Sequence, residues 1–432
     1  MRIKKSSHPE VNLNLNVRGL PQSATLLINE HSKKLIKEGR RVYKLGLGQS
    51  PFPVPEPVVQ SLRDNAHQKD YLPVKGLSEL RESVAQYHRR TEGIEYDAED
   101  VLIGPGSKEL MFLLQLVYYG DLVIATPSWV SYAPQANIIG RHIRWLPTYA
   151  VNGWRLTPED IEKLCLADPN RPRIIVLNYP NNPSGGTYRL DELKALAQTA
   201  RKYRVILLSD EIYGALHHKG QHVSIARFYP EGTIISGGLS KWCGAGGWRL
   251  GTFIFPRPLR WLLEALAVVA SETYTATSAP VQYAAVCAFN GCKEIDTYLL
   301  HSRRILRTLG RLIAQKMSDA GVWLQEPKGA FYLFPDFSPF KDKLRARGIT
   351  TSAELCNRLL EDTGVAILPG EVFGRPPEEL TARLAYVDFD GKKALEQAQR
   401  IPASKNFGLE CLNSSCSHLV SAIDVLCEWL HD

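Results

Sequence analysis

The chain has 432 residues, of which 44% are hydrophobic and 22% charged. That balance excludes a disordered, collagen-like or disulfide-stapled protein, and the length predicts more than one domain. Lys and Arg exceed Asp and Glu by 52 to 45, a net charge of +7. The excess is dilute, the densest basic runs being short ones at Lys33, Lys34 and Lys37 and at Arg40 and Arg41. A nucleic-acid binder would concentrate its charge in one stripe, so the expected partner is a small anion and no nucleic acid.

Eight cysteines stand at 165, 243, 287, 292, 356, 411, 416 and 427, without a C-x-x-C pair. They predict reduced thiols, a cytoplasmic location and no metal centre. No apolar core follows the basic residues of MRIKKSSHPEVNLNLNVRGL, so no secretory signal is expected. The long uncharged stretch Leu122 to Gly140 is broken by Pro127 and Pro134, a poor membrane span.

In chain order, an amphipathic helix is expected over about 21–39, then a short strand and the turn-rich run GLGQSPFPVPEP. Strand-like runs follow at Val101–Ile103, Leu122–Ala125, Arg173–Leu177, Val205–Ser209, Thr233–Ser236 and Gly251–Phe255. Helical patterns separate them. Leu110, Leu113, Leu114 and Val117 recur at i, i+3, i+4 and i+7, and 189–203 repeats the pattern. Such alternation predicts an α/β fold with a mainly parallel sheet. A long basic helix is expected at 301–319, a surface loop at 403–417, and a docked terminal helix with Leu419, Ile423, Leu426 and Leu430 on one face. The division expected is residues 1–50 and 300–432 forming a smaller domain from both termini, the latter with an extra terminal helix, around a large domain of 51–299.

Four clusters carry chemistry, each at a strand end, where ligands gather in open α/β sheets. In LIGPGSKEL, Gly104 and Gly106 lead a strand into a helix opened by Ser107 and Lys108, a phosphate cup of backbone N–H groups, hydroxyl and ammonium. The third glycine of a dinucleotide fingerprint is replaced by Glu109. In IVLNYPNNPSGGTY, Asn182 is fixed in a turn beside Pro183. In VILLSDEIYGAL, a buried strand delivers Asp210, whose carboxylate needs a cation or a proton donor, with Tyr213 three residues on. In IISGGLSKWCGAGGWRLGTF, Lys241 sits in glycine-rich surroundings that would strip its solvation and make it a nucleophile, with Arg249 eight residues later.

Phosphate cup, amide, buried acid, tyrosine, lysine and arginine together are what pyridoxal phosphate requires. The chain resembles the fold-type I, class I/II (aspartate aminotransferase-like) aminotransferase family, in Asn182–Pro183–Ser184–Gly185, Ser209–Asp210–Glu211–Ile212–Tyr213, Ser240–Lys241 and Gly247–Trp248–Arg249–Leu250–Gly251. The resemblance runs from about residue 20 to 400 and leaves the last thirty uncovered. It implies a large domain with a central, mostly parallel sheet and a smaller α/β domain. It implies a pyridoxal-phosphate-dependent amino-acid:2-oxo-acid aminotransferase, working by a ping-pong cycle through a Lys241 Schiff base.

The same resemblance implies individual roles. Lys241 would also shuttle the proton, Asp210 would pair with the pyridine nitrogen, and Tyr213 and Asn182 would reach the ring hydroxyl. Gly106, Ser107, Lys108, Ser240 and Arg249 would hold the phosphate, and Trp129, in TPSWVSY, would stack on the ring. Tyr71 would reach the phosphate of a neighbouring subunit in a homodimer. Arg383, in ARLAYVDF, would clamp the substrate carboxylate, with Asn182 beside it and Gly48 in a loop closing over it.

Gly238 departs from the pattern, standing where many members place a hydroxyl or amide three residues before the lysine; Ser236 or Ser240 would compensate. Cys243 reads as packing, and His217, His218 and His222 as a surface run. Phe52, Trp129 and Phe373 lean toward a neutral or aromatic substrate side chain. Lyases, decarboxylases, synthases and oxidases on the same scaffold remain the alternative. A nicotinamide dehydrogenase using Asp121 as its ribose acid would leave Lys241, Asp210 and Asn182 unexplained, and a regulatory module would need a DNA-reading domain or a missing lysine.

Overall fold

The computed structural model describes residues 12–20, 22–402, 405, 407, 408 and 413–432. The N-terminal reading at 1–11 and most of the loop at 403–412 lie outside the described residues. The strands in chain order are β1 (Tyr43–Lys44), β2 (Val101–Gly104), β3 (Asp121–Thr126), β4 (Ile143–Pro147), β5 (Arg173–Asn178) and β6 (Ile206–Asp210). They continue with β7 (Thr233–Gly238), β8 (Gly251–Ile254), β9 (Tyr332–Leu333), β10 (Val365–Ala366), β11 (Leu368–Pro369) and β12 (Ala382–Ala385).

Seven of these form one sheet in the order β2-β8-β7-β6-β5-β3-β4. Only β8 runs against its neighbours. The six expected strands are present, because each is a short apolar run buried on both faces. β4 was not legible: its IRWLP is a half-exposed edge strand with polar Arg144 and a closing proline.

Helices cover both faces. On one, Leu110, Leu113 and Leu114 of the Ser107–Val117 helix pack with Leu262, Leu263 and Leu266 against Phe253 and Ile124. On the other, Leu193 and Leu196 of the Leu190–Lys202 helix meet Ile175 and Leu207. Each fully buried leucine of this kind stabilises by about 1.5–3 kcal/mol relative to exposure.

The ends of the chain meet. Tyr43 and Lys44 pair in parallel with Val365 and Ala366, and the Ala385 N–H donates to the Leu45 carbonyl at 2.8 Å. The N-terminal helix spans Ala24–Lys37. The long basic helix begins earlier than expected, at Lys293, because Ile295 and Tyr298 extend the buried stripe of Ile305, Leu306 and Leu309. The terminal helix covers Asn413–His431 and so takes over part of the expected loop. Cys416, one turn before Leu419, starts the buried face that continues through Ile423, Leu426 and Leu430. Among the described residues, no helix is long and apolar enough to cross a membrane.

Candidate active site

Parallel strands ending in one direction put their following loops side by side. The loops after β2, β3, β5, β6 and β7 supply Ser107, Trp129, Asn182, Tyr213 and Lys241, which line one cavity of about 630 Å³ together with Gly48, Lys108, Asp210, Ser240 and Arg249. Nearly all the residues expected at the site are thus brought together. Three lie outside that lining. Arg383 stands behind Asn182, with Nη1 donating to its amide oxygen at 3.1 Å. Gly106 forms the back of the cup, and Tyr71 is 92% exposed.

Glycines permit the close approaches at the cup. Gly106 has φ +93°, and a Cβ there would lie 2.1 Å from Arg249 Nη2. One on Gly251 would lie 2.1 Å from the Ser107 nitrogen. Small residues therefore let the Arg249 guanidinium and the start of the Ser107–Val117 helix converge, where free N–H groups and the helix dipole favour an anion. Arg249 donates to the Gly246 carbonyl at 2.9 Å and the Pro105 carbonyl at 3.2 Å. Lys108 Nζ lies 5.2 Å from the Trp129 ring centroid.

Asp210, the last residue of β6, is 3% exposed. Burial pushes its carboxyl up to about 6, against a hydrogen bond from Tyr132 and the charge of Lys241. Lys241 Nζ donates to the Gly48 carbonyl at 2.7 Å. Burial first, and the neighbouring Arg383 charge second, pull its ammonium down to about 8. An acid that wants a cation and an amine close to neutrality thus face one another across the cavity. The Tyr213 hydroxyl bonds that of Tyr332 at 2.8 Å, and burial raises it well above the usual phenol range.

Arg383 is 2% exposed, its guanidinium between the rings of Tyr332 and Phe373, at 4.8 and 5.0 Å. It also donates to the Gly46 carbonyl, while its Nε has no hydrogen-bond partner. A buried guanidinium with an unused donor fits a carboxylate ligand. The donor set therefore suits a phosphate at one end, a cationic ring nitrogen at Asp210 and an aldehyde at Lys241.

Several expectations are corrected. Ser236 pairs with Asp210 across the sheet, and its hydroxyl is buried without a partner and does not line the cavity, which leaves Ser240 as the hydroxyl beside Gly238 that does. Phe52 packs against Tyr298 and Phe389, and Phe373 lies under Arg383, so neither lines the pocket. The histidines are not a surface run. His217 and His218 are 9% and 6% exposed, and His222 bonds Glu211 at 2.8 Å. Asp121 is bound to Arg171 at 2.9 Å, away from the cup. Cys243 is fully buried, in line with packing.

One functional contact went unread in the sequence. The Tyr132 hydroxyl donates to Asp210 Oδ2 at 2.6 Å. Its only signal was position, three residues after Trp129 on a short helix.

Comparison with known proteins places the chain in a family. The profile of aminotransferase class I and II matches residues 40–394. The chain is 32% identical to an aspartate aminotransferase of Geobacillus stearothermophilus, over 86% of this chain and 93% of that one. It is 30% identical to an aspartate/prephenate aminotransferase of Thermus thermophilus, over 90% and 98%. The fold superposes on a Thermus thermophilus aspartate aminotransferase solved with maleate, at a TM-score of 0.82 and 27% identity, covering 97% of this chain and all of that one. The chain belongs to the class I and II aminotransferase family. It is a pyridoxal-phosphate-dependent amino-acid aminotransferase.

Proposed function

We propose that the protein transfers amino groups between acidic L-amino acids, of the aspartate class, and 2-oxo acids, in a ping-pong cycle. The observation that carries the substrate class is the likeness to relatives named for aspartate, at 32% and 30% identity over most of both chains. Lys108, Lys241 and Arg249 line the cavity and Arg383 stands behind it, against a single carboxylate, Asp210. Such a positive field suits an anionic substrate beside a phosphate.

Pyridoxal phosphate, when bound, supplies the aldehyde that takes up the amino group and the electron-withdrawing ring that acidifies the substrate α-carbon. This chain's residues do the rest. Gly106, Ser107, Lys108, Ser240 and Arg249 hold the phosphate, and Trp129 covers the ring. Asp210 holds a proton on the ring nitrogen, while Asn182 and Tyr213 hydrogen-bond the ring hydroxyl. Arg383 grips the α-carboxylate by its guanidinium fork, with Asn182 and Gly48 alongside. Lys241 Nζ, close to neutrality, takes the α-proton and returns it.

We further read the active unit as a homodimer, in which the exposed Tyr71 reaches the partner's phosphate site. The chain is read as cytoplasmic, on its scattered cysteines without C-x-x-C spacing. Residues 51–299 are read as the large domain, with 1–50 and 300–432 forming the smaller one; the pairing of Tyr43 with Val365 supports that division.

The test is visible absorbance during addition of single L-amino acids. L-Aspartate should discharge the yellow colour at lower concentration than L-alanine or L-phenylalanine, and a 2-oxo acid should restore it. Equal response to all three would remove the acidic assignment. Release of ammonia without recovery would point to a lyase. Arg383→Lys should raise KM for every amino acid alike; a loss confined to one substrate would contradict its α-carboxylate role.

A further inference from the structure

Side chains alternate along a strand, so Asp210 faces the cavity while Ser209 and Glu211 face the opposite side. Glu211 is a buried titratable group that the transfer reaction does not use, and its side chain is 6% exposed. It is held from several directions. Oε1 accepts from the hydroxyls of Ser209 and Ser224, both at 2.7 Å, and Oε2 pairs with His222 Nε2 at 2.8 Å. Its backbone N–H donates to the Ser236 carbonyl at 2.9 Å. The His222 Nδ1 is buried without a partner.

The groups around this pair are themselves matched. Glu92 accepts from the Ser224 N–H at 2.9 Å and pairs with Arg227 at 3.1 Å. His88 is buried beside them with its Nδ1 unbonded. Tyr179, just after β5, approaches Glu211 at 3.5 Å. Arg303, from the long helix, lines the same cavity behind the sheet.

A buried anion next to Asp210 in sequence would oppose the ionisation that Asp210 needs in order to face a protonated ring nitrogen. His222 answers that charge at hydrogen-bond distance. Burial alone would raise the Glu211 carboxyl, but the His222 charge and the three side-chain hydrogen bonds hold it below the usual range. Burial alone would lower the His222 imidazole, but Glu211 holds it above the usual range. Each member of the pair thus favours the charged form of the other.

We propose that Glu211 and His222 are positioning residues for Asp210: from behind the sheet, His222 offsets part of the charge that Glu211 would otherwise impose on Asp210. This rests on the reading of Asp210 as the partner of the cofactor's ring nitrogen. Both residues act through Asp210 and do not touch the cofactor.

The experiment compares holoenzyme variants by pyridoxal phosphate dissociation constant and by the pH midpoint of the bound cofactor's visible band. His222→Gln keeps a donor but leaves Glu211 as an uncompensated anion. Its dissociation constant should rise about tenfold and the midpoint should shift by about one pH unit. Glu211→Gln combined with His222→Gln removes both charges, and should return both readings to within about threefold and a few tenths of a unit of the parent. If the pair only packs the loop, the double variant binds no better than His222→Gln, which overturns the proposal; so does an unchanged His222→Gln. Should His222→Gln fail to fold, Glu211→Gln alone decides: near-parental cofactor affinity supports charge cancellation, and a tenfold loss overturns it. Asp210→Asn is the control, since unchanged cofactor binding there would instead overturn the reading of Asp210.

Discussion

The hydroxyl of Tyr132 donates to Asp210 Oδ2 at 2.6 Å, although the two residues are 78 positions apart. The contact satisfies one oxygen of a buried carboxylate and leaves Oδ1 with only a long bond, 3.4 Å, from the Ile212 N–H. Tyr132 thereby lowers the cost of keeping Asp210 ionised, against the burial that raises it. A hydrogen bond to an ionised group contributes about 1.5–3 kcal/mol. Tyr132→Phe should therefore weaken pyridoxal phosphate binding by about tenfold to a hundredfold, while far-UV circular dichroism stays unchanged. Unaltered affinity, measured by titration of the apoprotein, would show that Asp210 does not depend on Tyr132.

Gly106 tests the phosphate cup. Its φ of +93° lies where side chains are strained, and an added Cβ would lie 2.1 Å from Arg249 Nη2. Because that contact is the far end of a flexible side chain, the guanidinium would swing away and the fold would survive. Gly106→Ala should cost about 1 kcal/mol or more in backbone strain. It should also reduce affinity for pyridoxal phosphate about tenfold, by loss of a charge-assisted contact. Pyridoxal lacking the phosphate is the comparison: its binding should hardly change. An equal loss for both ligands would place the defect outside the cup.

The residues that carry chemistry were legible because strand ends and glycine turns leave a local imprint. Asp210 follows an apolar run, and Lys241 sits among glycines. The support around them was not legible, because its partners come from distant segments. Tyr132 and Asp210 meet only through the stacking of parallel strands. His222 looks like part of a polar run, yet its ring fills a site prepared by Glu211, Ser209 and Ser224. β4 escaped notice for the opposite reason: an edge strand needs no apolar run. The Asn413–Cys416 turn of the last helix was obscured by Asn, Ser and Ser, which favour loops in isolation and are overridden by the packing of Cys416.

The environment of Lys241 makes a prediction about rate. Only the neutral amine attacks an aldehyde. With its ammonium drawn down to about 8 by burial and by Arg383, capture of pyridoxal phosphate by the apoprotein should accelerate from pH 6 and level off above about 8. A lysine in water would keep accelerating to about 10.4. Stopped-flow absorbance measures this directly, and continued acceleration beyond pH 9 would mean that Lys241 is not desolvated. Lys241→Ala should abolish turnover while retaining some cofactor binding.

Acid stability provides a check on the buried histidines. His88, His217 and His218 are held at about 4, each chiefly by burial, against an ordinary 6.5. A base with a depressed folded value stays neutral in the native state while the unfolded chain takes up the proton. Its contribution to stability is therefore full above about 6.5 and declines as pH falls toward 4. Asp210 works in the other direction. With its folded value at about 6 against an ordinary 3.8, the native state binds the proton first and gains stability over the same interval. Three histidines outweigh one carboxyl, so the apoprotein's unfolding midpoint in urea should fall between pH 7 and pH 5. His88→Gln should flatten that decline whatever it does to stability at pH 7.5, because it removes one of the three histidine protons taken up on unfolding. An equally steep decline in the variant would show that His88 is already protonated in the folded protein.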